Sequence, residues 1–190
     1  MIDFKTAKEY LDFGLSIFPV NVYWSEEKQK FEKQPMVKWE PYQYRLPTEE
    51  EELHQWFDRP QYNAIGCTTG KLSRIVAIDI DDPKNVDRFP SSVVSQTISG
   101  RQHHIFKWTR EIRNLEAING EPLDFRGDGG FIVLPGSSCG DKAYTWIKKD
   151  FSKLQPLPQD FLDLIKDAEK RANRPLNLAI EVKEKIKTGD

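Results

Sequence analysis

Acidic residues alternate with isoleucines in the segment Ile75–Asp82, which reads IVAIDIDD. Side chains alternate between the two faces of a strand, so the isoleucines point to one face while Asp79 and Asp81 point to the other. Two carboxylates this close raise each other's pKa unless a cation or a proton intervenes. The pair therefore predicts part of a site for a hard divalent cation, for which oxygen ligands are suited. The simpler alternative is that both acids meet water at the end of a strand.

A third carboxylate is needed to complete such a site, and the segment Leu123–Phe131 (LDFRGDGGF) offers one. Asp124 lies between Leu123 and Phe125, whose side chains would point to the opposite face of a short strand. Asp124 is therefore the best candidate for the third ligand. The two glycines at 129–130 either let the backbone approach another group closely or form a hairpin turn.

A cationic face is predicted on the strand within Ser99–Lys107, which reads SGRQHHIFK. Alternation places Arg101, His103 and Lys107 on one face, a set that suits an anion such as a polyphosphate. His104 falls on the other face among aromatic side chains, and we expect it to be a packed, hydrogen-bonded core residue.

Two segments of the chain resemble known motifs but do not match them. Gly66–Leu72 (GCTTGKL) is one residue shorter than a P-loop between its glycines, and Leu72 stands where the Mg²⁺-binding hydroxyl residue belongs. The neighbouring histidines also resemble the His-hydrophobic-His metal site of rolling-circle endonucleases. That spacing points both rings to one face of a strand, whereas His103 and His104 point to opposite faces. A metal-dependent nuclease of replication initiation is therefore the weaker alternative.

The composition is typical of an ordinary globular domain. The chain has 190 residues, 38% of them hydrophobic and 31% charged, with a formal net charge of −2. This balance excludes a histone-like or tail-driven binder of nucleic acid, although it allows a local basic cleft. No apolar run approaches the roughly 18 residues that span a bilayer, and the N-terminus lacks the apolar core of a signal peptide, so we expect a cytoplasmic protein with no membrane partner.

Periodicity predicts an α/β (mixed α+β) fold, in which helices flank a central group of strands. The residues 25–45 are expected to form a polar loop, and Thr48 and Glu51 a capping box that opens a helix. Asp82 and Pro83 are expected to start a short helix that ends near Phe89. The remaining predicted elements are helices at 6–15 and 158–172, and strands at 16–23, 63–68, 75–81, 93–98, 103–108, 122–126, 130–134 and 143–148.

Taken in order, these motifs resemble the bifunctional primase-polymerase domain of the archaeo-eukaryotic primase superfamily, found at the N-terminus of plasmid and phage replication proteins. The resemblance runs from about Ala7 to Trp146. It rests on the early helix and Phe18-Pro19-Val20, then on NAIG with Thr69-Gly70, AIDID, SGRQH and LDFRGDGGFIVLPGS. The resemblance implies an archaeo-eukaryotic primase-like catalytic core.

The resemblance also implies the roles of individual residues. Asp79, Asp81 and Asp124 would be catalytic and would bind two divalent ions, Mg²⁺ or Mn²⁺. His103 would be catalytic and contact the triphosphate of the incoming nucleotide. The other nucleotide-binding residues implied in this way are Ser99, Arg101, Arg126 and Ser137. Some relatives carry a zinc-binding insertion after the first motif, but residues 83–96 are short and lack cysteine, so no zinc is expected.

The expected function is therefore template-dependent nucleotide transfer in DNA replication, with both DNA primase and DNA polymerase activity. Its partners would be single-stranded or primed DNA, dNTP or NTP and, in a longer protein, a helicase domain downstream. Lys38, Lys107 and the lysines around 142–149 are candidates for contacts with template phosphates. The expected division is a catalytic domain over 1–150 and a linker with a helical extension over 151–190. A non-catalytic nucleic-acid-binding relative is the remaining alternative.

Overall fold

The structure is a computed structural model that describes residues 2–59 and 61–172. Three α-helices and eleven strands are found in these residues. The helices are α1 (Phe4–Asp12), α2 (His54–Phe57) and α3 (Gln159–Ala172). The strands are β1 (Ile17–Ser25), β2 (Lys30–Pro35), β3 (Ala64–Thr68), β4 (Ile75–Ile80), β5 (Val93–Gln96), β6 (Gln102–Lys107), β7 (Leu123–Arg126), β8 (Phe131–Val133), β9 (Ser138–Cys139), β10 (Lys142–Ala143) and β11 (Thr145–Lys149).

The strands form two main antiparallel sheets. The first sheet has the order β2-β1-β3-β8, and the second has the order β11-β5-β6-β4-β7, while β9 and β10 form a separate pair. The predicted α+β class is confirmed. The division of the strands between two sheets was not indicated by the sequence, because β3 and β4 are neighbours in the chain but belong to different sheets.

The second sheet is buried on both faces by apolar side chains. Its face toward the first sheet contributes Ile75, Ala77, Val93 and Ile105 to one core cluster. Its opposite face contributes Val76, Ile78, Ile80 and Phe106 to a second cluster, which is covered by α3 through Phe161 and Ile165. The alternation of side chains in β4 therefore separates two cores, and it leaves Asp79 on the face that looks toward the first sheet.

Helix α1 begins where the sequence supplies a cap. Asp3 accepts a hydrogen bond from the backbone N–H of Thr6 at 2.8 Å, and an acidic N-cap also complements the helix dipole. Gly14 follows the helix with a φ of 82°, which glycine adopts without a steric penalty. The buried Tyr10 donates its hydroxyl to the carbonyl of Pro135 at 2.8 Å. The helix is therefore fixed to the chain that follows the last strand of the first sheet.

Two local predictions were wrong. The expected loop over 25–45 contains β2, which pairs with β1 in a hairpin whose turn places Gln29 in the left-handed region. Its alternation was hidden because an edge strand can be polar on its solvent face. The expected capping box is also different, because Glu52 rather than Glu51 accepts the N–H of Thr48. The chain opens there as a π-helical turn, Glu49–Leu53, before α2.

The glycines at 129–130 do not form a hairpin. Strand β7 belongs to the second sheet and β8 to the first, so the segment between them crosses from one sheet to the other. A Cβ atom on Gly130 would lie 2.3 Å from Oδ1 of Asn114, so the crossing segment passes too close to its neighbour for a side chain. A close approach therefore describes Gly130, whereas Gly129 has no neighbour within 4 Å and supplies a φ of 84° in the turn.

The C-terminal helix packs on the second sheet. Phe161 is fully buried and meets Phe89 with ring centroids 5.1 Å apart and Phe125 with centroids 5.6 Å apart. The domain boundary near residue 150 stays a prediction, since the end of the expected extension, residues 173–190, lies outside the described residues. Within residues 2–59 and 61–172, no helix has the length and apolar character needed to cross a membrane.

Candidate active site

Four polar side chains form a row across the second sheet. Asp79 of β4 lies directly opposite His103 of β6 on one side and opposite Asp124 of β7 on the other. His103 in turn lies opposite Ser95 of β5. Directly opposed residues of antiparallel strands point to the same face with Cβ atoms about 4.5–5.5 Å apart. The register therefore brings Asp79, His103 and Asp124 together although they are far apart in the chain.

Three members of this row carry buried polar atoms without a protein partner. Oδ1 of Asp79, Nδ1 of His103 and Oγ of Ser95 are buried and make no hydrogen bond to any described residue. The hydroxyl of Tyr144 is in the same condition. An unpaired buried polar group usually costs about 1–3 kcal/mol. Several such groups on neighbouring strands indicate a place where the protein provides ligands for something else.

Two arginines pair with the acids of the row and with the neighbouring Asp81. Nη2 of Arg126 lies 2.9 Å from Oδ2 of Asp124 and 3.9 Å from Oδ2 of Asp79, so its guanidinium lies between the two carboxylates. Nη1 of Arg101 lies 2.7 Å from Oδ1 of Asp81. Nε2 of His103 lies 3.7 Å from Oδ2 of Asp79, an ion-pair distance rather than a hydrogen bond. Every acid of the predicted set is thus paired with a cationic side chain.

The pKa values of Asp79, which lies in β4, and Asp81, which follows β4, are shifted in opposite directions. Burial on its own would raise the pKa of Asp79, but the charge of His103, helped by Lys33 and Arg126, lowers the pKa well below its ordinary value. The pKa of Asp81 is raised, first by burial and then by the negative charge of Asp79. The like-charge repulsion expected from the sequence is therefore present, and Asp81 bears it.

The first sheet contributes a lysine to the same cleft. Lys33 lies on the edge strand β2, and the residue as a whole is exposed. Nevertheless, burial lowers the pKa of its ammonium group, which also interacts with the charges of Asp79, Arg126 and Arg101. Lys33 lies directly opposite the buried Val22 of β1, so its side chain leaves β2 on the face that looks toward the second sheet. The site is therefore bounded by both sheets.

Comparison with known families assigns the chain. The family model described as the N-terminal domain of bifunctional DNA primase/polymerase matches residues 7–160. The chain belongs to this family. A search among curated proteins returned no match. Membership in the primase/polymerase family implies a primase or polymerase activity in DNA replication, with nucleotides and a DNA template as substrates.

The primase/polymerase family generally uses divalent metal ions, and the donor atoms of this chain fit them in type. Asp79, Asp81 and Asp124 supply hard oxygen ligands, and Oδ1 of Asp79 is buried without a partner. Within the described part of the chain, however, no three carboxylate, histidine or cysteine side chains are placed to hold one ion together. In this arrangement Arg126 pairs with Asp124 and Arg101 pairs with Asp81.

The other residues implied by the primase/polymerase resemblance lie in different settings. Ser99 and Arg101 are exposed on the turn between β5 and β6, next to the row. Ser137 has no exposed surface, and its Oγ accepts the backbone N–H of Ile65 at 2.9 Å. Its hydroxyl joins two chain segments, so this position does not support a direct contact with a nucleotide. His104 is buried with Nδ1 against the carbonyl of Phe89 and Nε2 against Gln102, as a core residue should be.

Three residues of the cleft were missed in the sequence. Lys33 was assigned to a loop, because the polar Lys33 lies between Phe31 and Pro35 on the same face and interrupts the apolar pattern of the strand. Ser95 and Tyr144 lie in predicted strands, but neither residue type in isolation indicates a site. The register of β5 against β6 would have identified Ser95, and the register depends on the turn between them, which the sequence alone does not fix.

Proposed function

We propose that the row of Ser95, His103, Asp79 and Asp124 is the centre of a template-dependent nucleotidyltransferase, which acts as DNA primase and DNA polymerase. The observation that carries the proposal is the in-register row with its unpaired buried atoms, in a chain of the primase/polymerase family. The row places the carboxylates of Asp79 and Asp124 side by side, with cationic side chains around them. This is the arrangement required by an anionic substrate whose reacting phosphate needs cations close by.

The carboxylates of Asp79, Asp81 and Asp124 would hold two divalent ions, Mg²⁺ or Mn²⁺. When bound there, such ions would make the primer 3′-hydroxyl a better nucleophile and neutralise charge at the α-phosphate. Asp79 is suited to this role because its lowered pKa keeps it ionised at neutral pH. Its burial also excludes competing water from its unpaired oxygen.

The cations around the carboxylates would bind the triphosphate. Arg101 and Arg126 present guanidinium groups, which bind phosphate oxygens in a bidentate manner, and Lys33 adds a point charge from the opposite sheet. Ser99 lies at the turn before Arg101, where its exposed hydroxyl can reach a phosphate. His103 would contact the triphosphate through a ring nitrogen. Its ring is 1% exposed, so this contact requires the side chains that cover it to move.

Primer extension tests the proposal. With a labelled primer on a single-stranded template, dNTPs and Mg²⁺ or Mn²⁺, the protein is expected to lengthen the primer. Excess EDTA is expected to stop extension, and a fresh excess of the metal should restore it, because the carboxylates need a counter-ion of higher charge for this chemistry. A protein that shortens the primer and never extends it would be a nuclease. A protein that binds DNA and leaves the primer unchanged would be a non-catalytic relative.

The substitution His103→Ala is expected to raise the apparent KM for dNTP about tenfold or more, since a hydrogen bond to a charged group contributes about 1.5–3 kcal/mol. Steady-state extension at increasing dNTP concentration measures this change. The matched control is His104→Ala, which removes a neighbouring buried imidazole bonded to Phe89 and Gln102. The control should lower stability without changing the KM. An unchanged KM in His103→Ala would move the triphosphate contact to other residues.

A further inference from the structure

A cleft lies at the other end of β4 from Asp79. It has a volume of about 1100 Å³ and is bounded by residues of both layers. Arg74 and Lys107 mark the end of the second sheet there, because Lys107 lies opposite Ile75, the first residue of β4. Thr69 and Tyr44 contribute from the side of the first sheet. We call this feature the basic groove and define it by Tyr44, Lys71, Arg74, Lys107, Trp108 and Arg113.

The basic groove contains four cations that the protein does not neutralise. Lys71, Arg74, Lys107 and Arg113 are exposed, and none of them forms an ion pair with any residue in the described ranges. This differs from Arg101 and Arg126, both of which hold carboxylates. In a chain with a net charge of −2, four unpaired cations around one groove attract an anion.

The acids of the groove lining cancel only part of this charge. The carboxylate of Asp128 is used by the protein itself, because it accepts hydrogen bonds from the backbone of Lys71 and Ile112 and from Nε1 of Trp108. Glu111 is the other acid of the lining. Hydrogen bonds from neutral N–H groups leave the charge of Asp128 in place, so the four cations face two carboxylates and an excess of two positive charges remains.

The backbone at Arg74 is unfavourable for an arginine. Its φ is 59°, in the left-handed region where glycine and asparagine are preferred. Arg74 also accepts the backbone N–H of Trp108 through its carbonyl, so this conformation connects the turn to the groove wall. A residue that costs stability at its position suggests that its side chain serves another purpose.

Aromatic side chains stand beside the cations. Tyr44 is 83% exposed at the edge of the groove, an unusual position for a large aromatic residue. Trp108 is half-buried in the wall, with its Nε1 bonded to Asp128. Cations that follow a phosphate backbone, combined with aromatic faces on which bases stack, are the combination that binds single-stranded nucleic acid without sequence preference.

We infer that the basic groove binds single-stranded DNA, and that this strand is the template that leads to the row of Asp79. This inference rests on the proposed function. Four residues of β4 separate Asp79 from Ile75, which lies opposite Lys107, and this corresponds to about 13 Å at the rise of a strand. A strand of DNA held in the groove is therefore a few nucleotides away from the proposed centre. The phosphates would contact the four cations, and a base would stack on Tyr44.

Fluorescence anisotropy of a labelled oligodeoxynucleotide tests the inference, with EDTA present so that no metal bridges DNA to the carboxylates. The double variant Arg74→Asn/Lys107→Gln is expected to bind about fivefold or more weakly, and to lower the slope of log K against log salt by about 1.4, at about 0.7 for each lost phosphate contact. Tyr44→Ala should weaken binding about fivefold or more without changing the salt slope. Glu111→Gln should strengthen binding.

The controls separate binding from stability and from net charge. Arg74→Asn alone should not lower the thermal midpoint, because asparagine tolerates the left-handed region. Lys166→Gln/Lys170→Gln, on the exposed side of α3, removes the same charge away from the groove and should leave affinity and slope unchanged. If the groove variants bind as tightly as the parent protein, or weaken binding no more than the α3 control, the inference is wrong. It is equally wrong if the groove variants lose affinity for free dNTP but not for the oligonucleotide.

The outcome also distinguishes this inference from the proposed function. If primer extension requires Asp79 while groove variants bind DNA normally, the function stands and the groove assignment fails. If the parent protein never extends a primer but the groove variants lose DNA binding, the groove remains a nucleic-acid surface and the nucleotidyltransferase proposal fails.

Discussion

Asp79→Asn is expected to reduce primer extension by about a thousandfold or more, to the limit of detection. The substitution keeps the shape of the side chain and removes the charge that would hold a divalent ion at the centre of the row. A loss of about 4 kcal/mol of transition-state stabilisation corresponds to this factor. Single-turnover extension with saturating dNTP and primed template measures the effect. DNA binding should remain within about twofold of the parent protein, because Asp79 lies outside the basic groove.

The neighbouring acid provides a matched control. Asp82 lies three residues further along the same segment and caps the 3-10 helix Pro83–Arg88, with its Oδ1 accepting the N–H of Lys84 at 3.0 Å. Asparagine caps as well as aspartate, so Asp82→Asn removes one charge and keeps the structure. It should retain extension within about twofold. Full activity in Asp79→Asn, or an equal loss in both variants, would refute the metal-binding role of Asp79.

Phe161→Ala is expected to lower the free energy of unfolding by about 3–5 kcal/mol, the usual cost of removing a buried phenylalanine from a core. Phe161 is fully buried and packs on Phe89 and Phe125. The loss is a large part of the roughly 5–15 kcal/mol that stabilises a domain. Chemical denaturation followed by tryptophan fluorescence measures it. Because Phe125 follows Asp124 in β7, extension should also become more sensitive to temperature.

The same helix supplies the comparison for this result. Leu162 is only partly buried on α3, and Leu162→Ala should cost about 1 kcal/mol or less. If Phe161→Ala leaves the denaturation midpoint unchanged, α3 does not belong to the core of the domain. The predicted boundary near residue 150 would then mark a separate extension. A large decrease in the free energy of unfolding would show that α3 is part of the stable domain.

The elements with strong periodicity were predictable from the sequence. The apolar alternation of Ile75–Ile80 identified β4, and the 3.6-residue spacing of Phe161 and Ile165 identified α3. Asp79 and Asp124 could be selected because the apolar residues beside them fixed their faces, and His103 because it shares a face with Arg101 and Lys107. His104 could be separated from His103 by the same alternation, and its burial with both ring nitrogens bonded confirms that prediction.

Long-range pairing was not predictable in the same way. Lys33 reaches the cleft only because β2 pairs with β1 and the first sheet faces the second, and neither fact is encoded in a local pattern. Arg126 was selected as a contact for the nucleotide, but its position between Asp79 and Asp124 depends on the register of β7 against β4. Polar residues on an edge strand and ion pairs across strands are decided by tertiary packing, which a single sequence does not display.

The guanidinium between Asp79 and Asp124 has a consequence for how the cleft is prepared. Without it, two acids on adjacent strands would repel each other, and the resting fold would have to bear that strain. The guanidinium of Arg126 is a counter-ion supplied by the protein itself, and it offsets the repulsion between Asp79 on β4 and Asp124 on β7. The guanidinium of Arg126 cannot pair with both aspartates and bind an incoming phosphate at the same time. Under the proposed function, a cation that binds Asp79 and Asp124 would release the guanidinium of Arg126 to bind the triphosphate, so that metal binding and substrate binding would use one positive charge in succession.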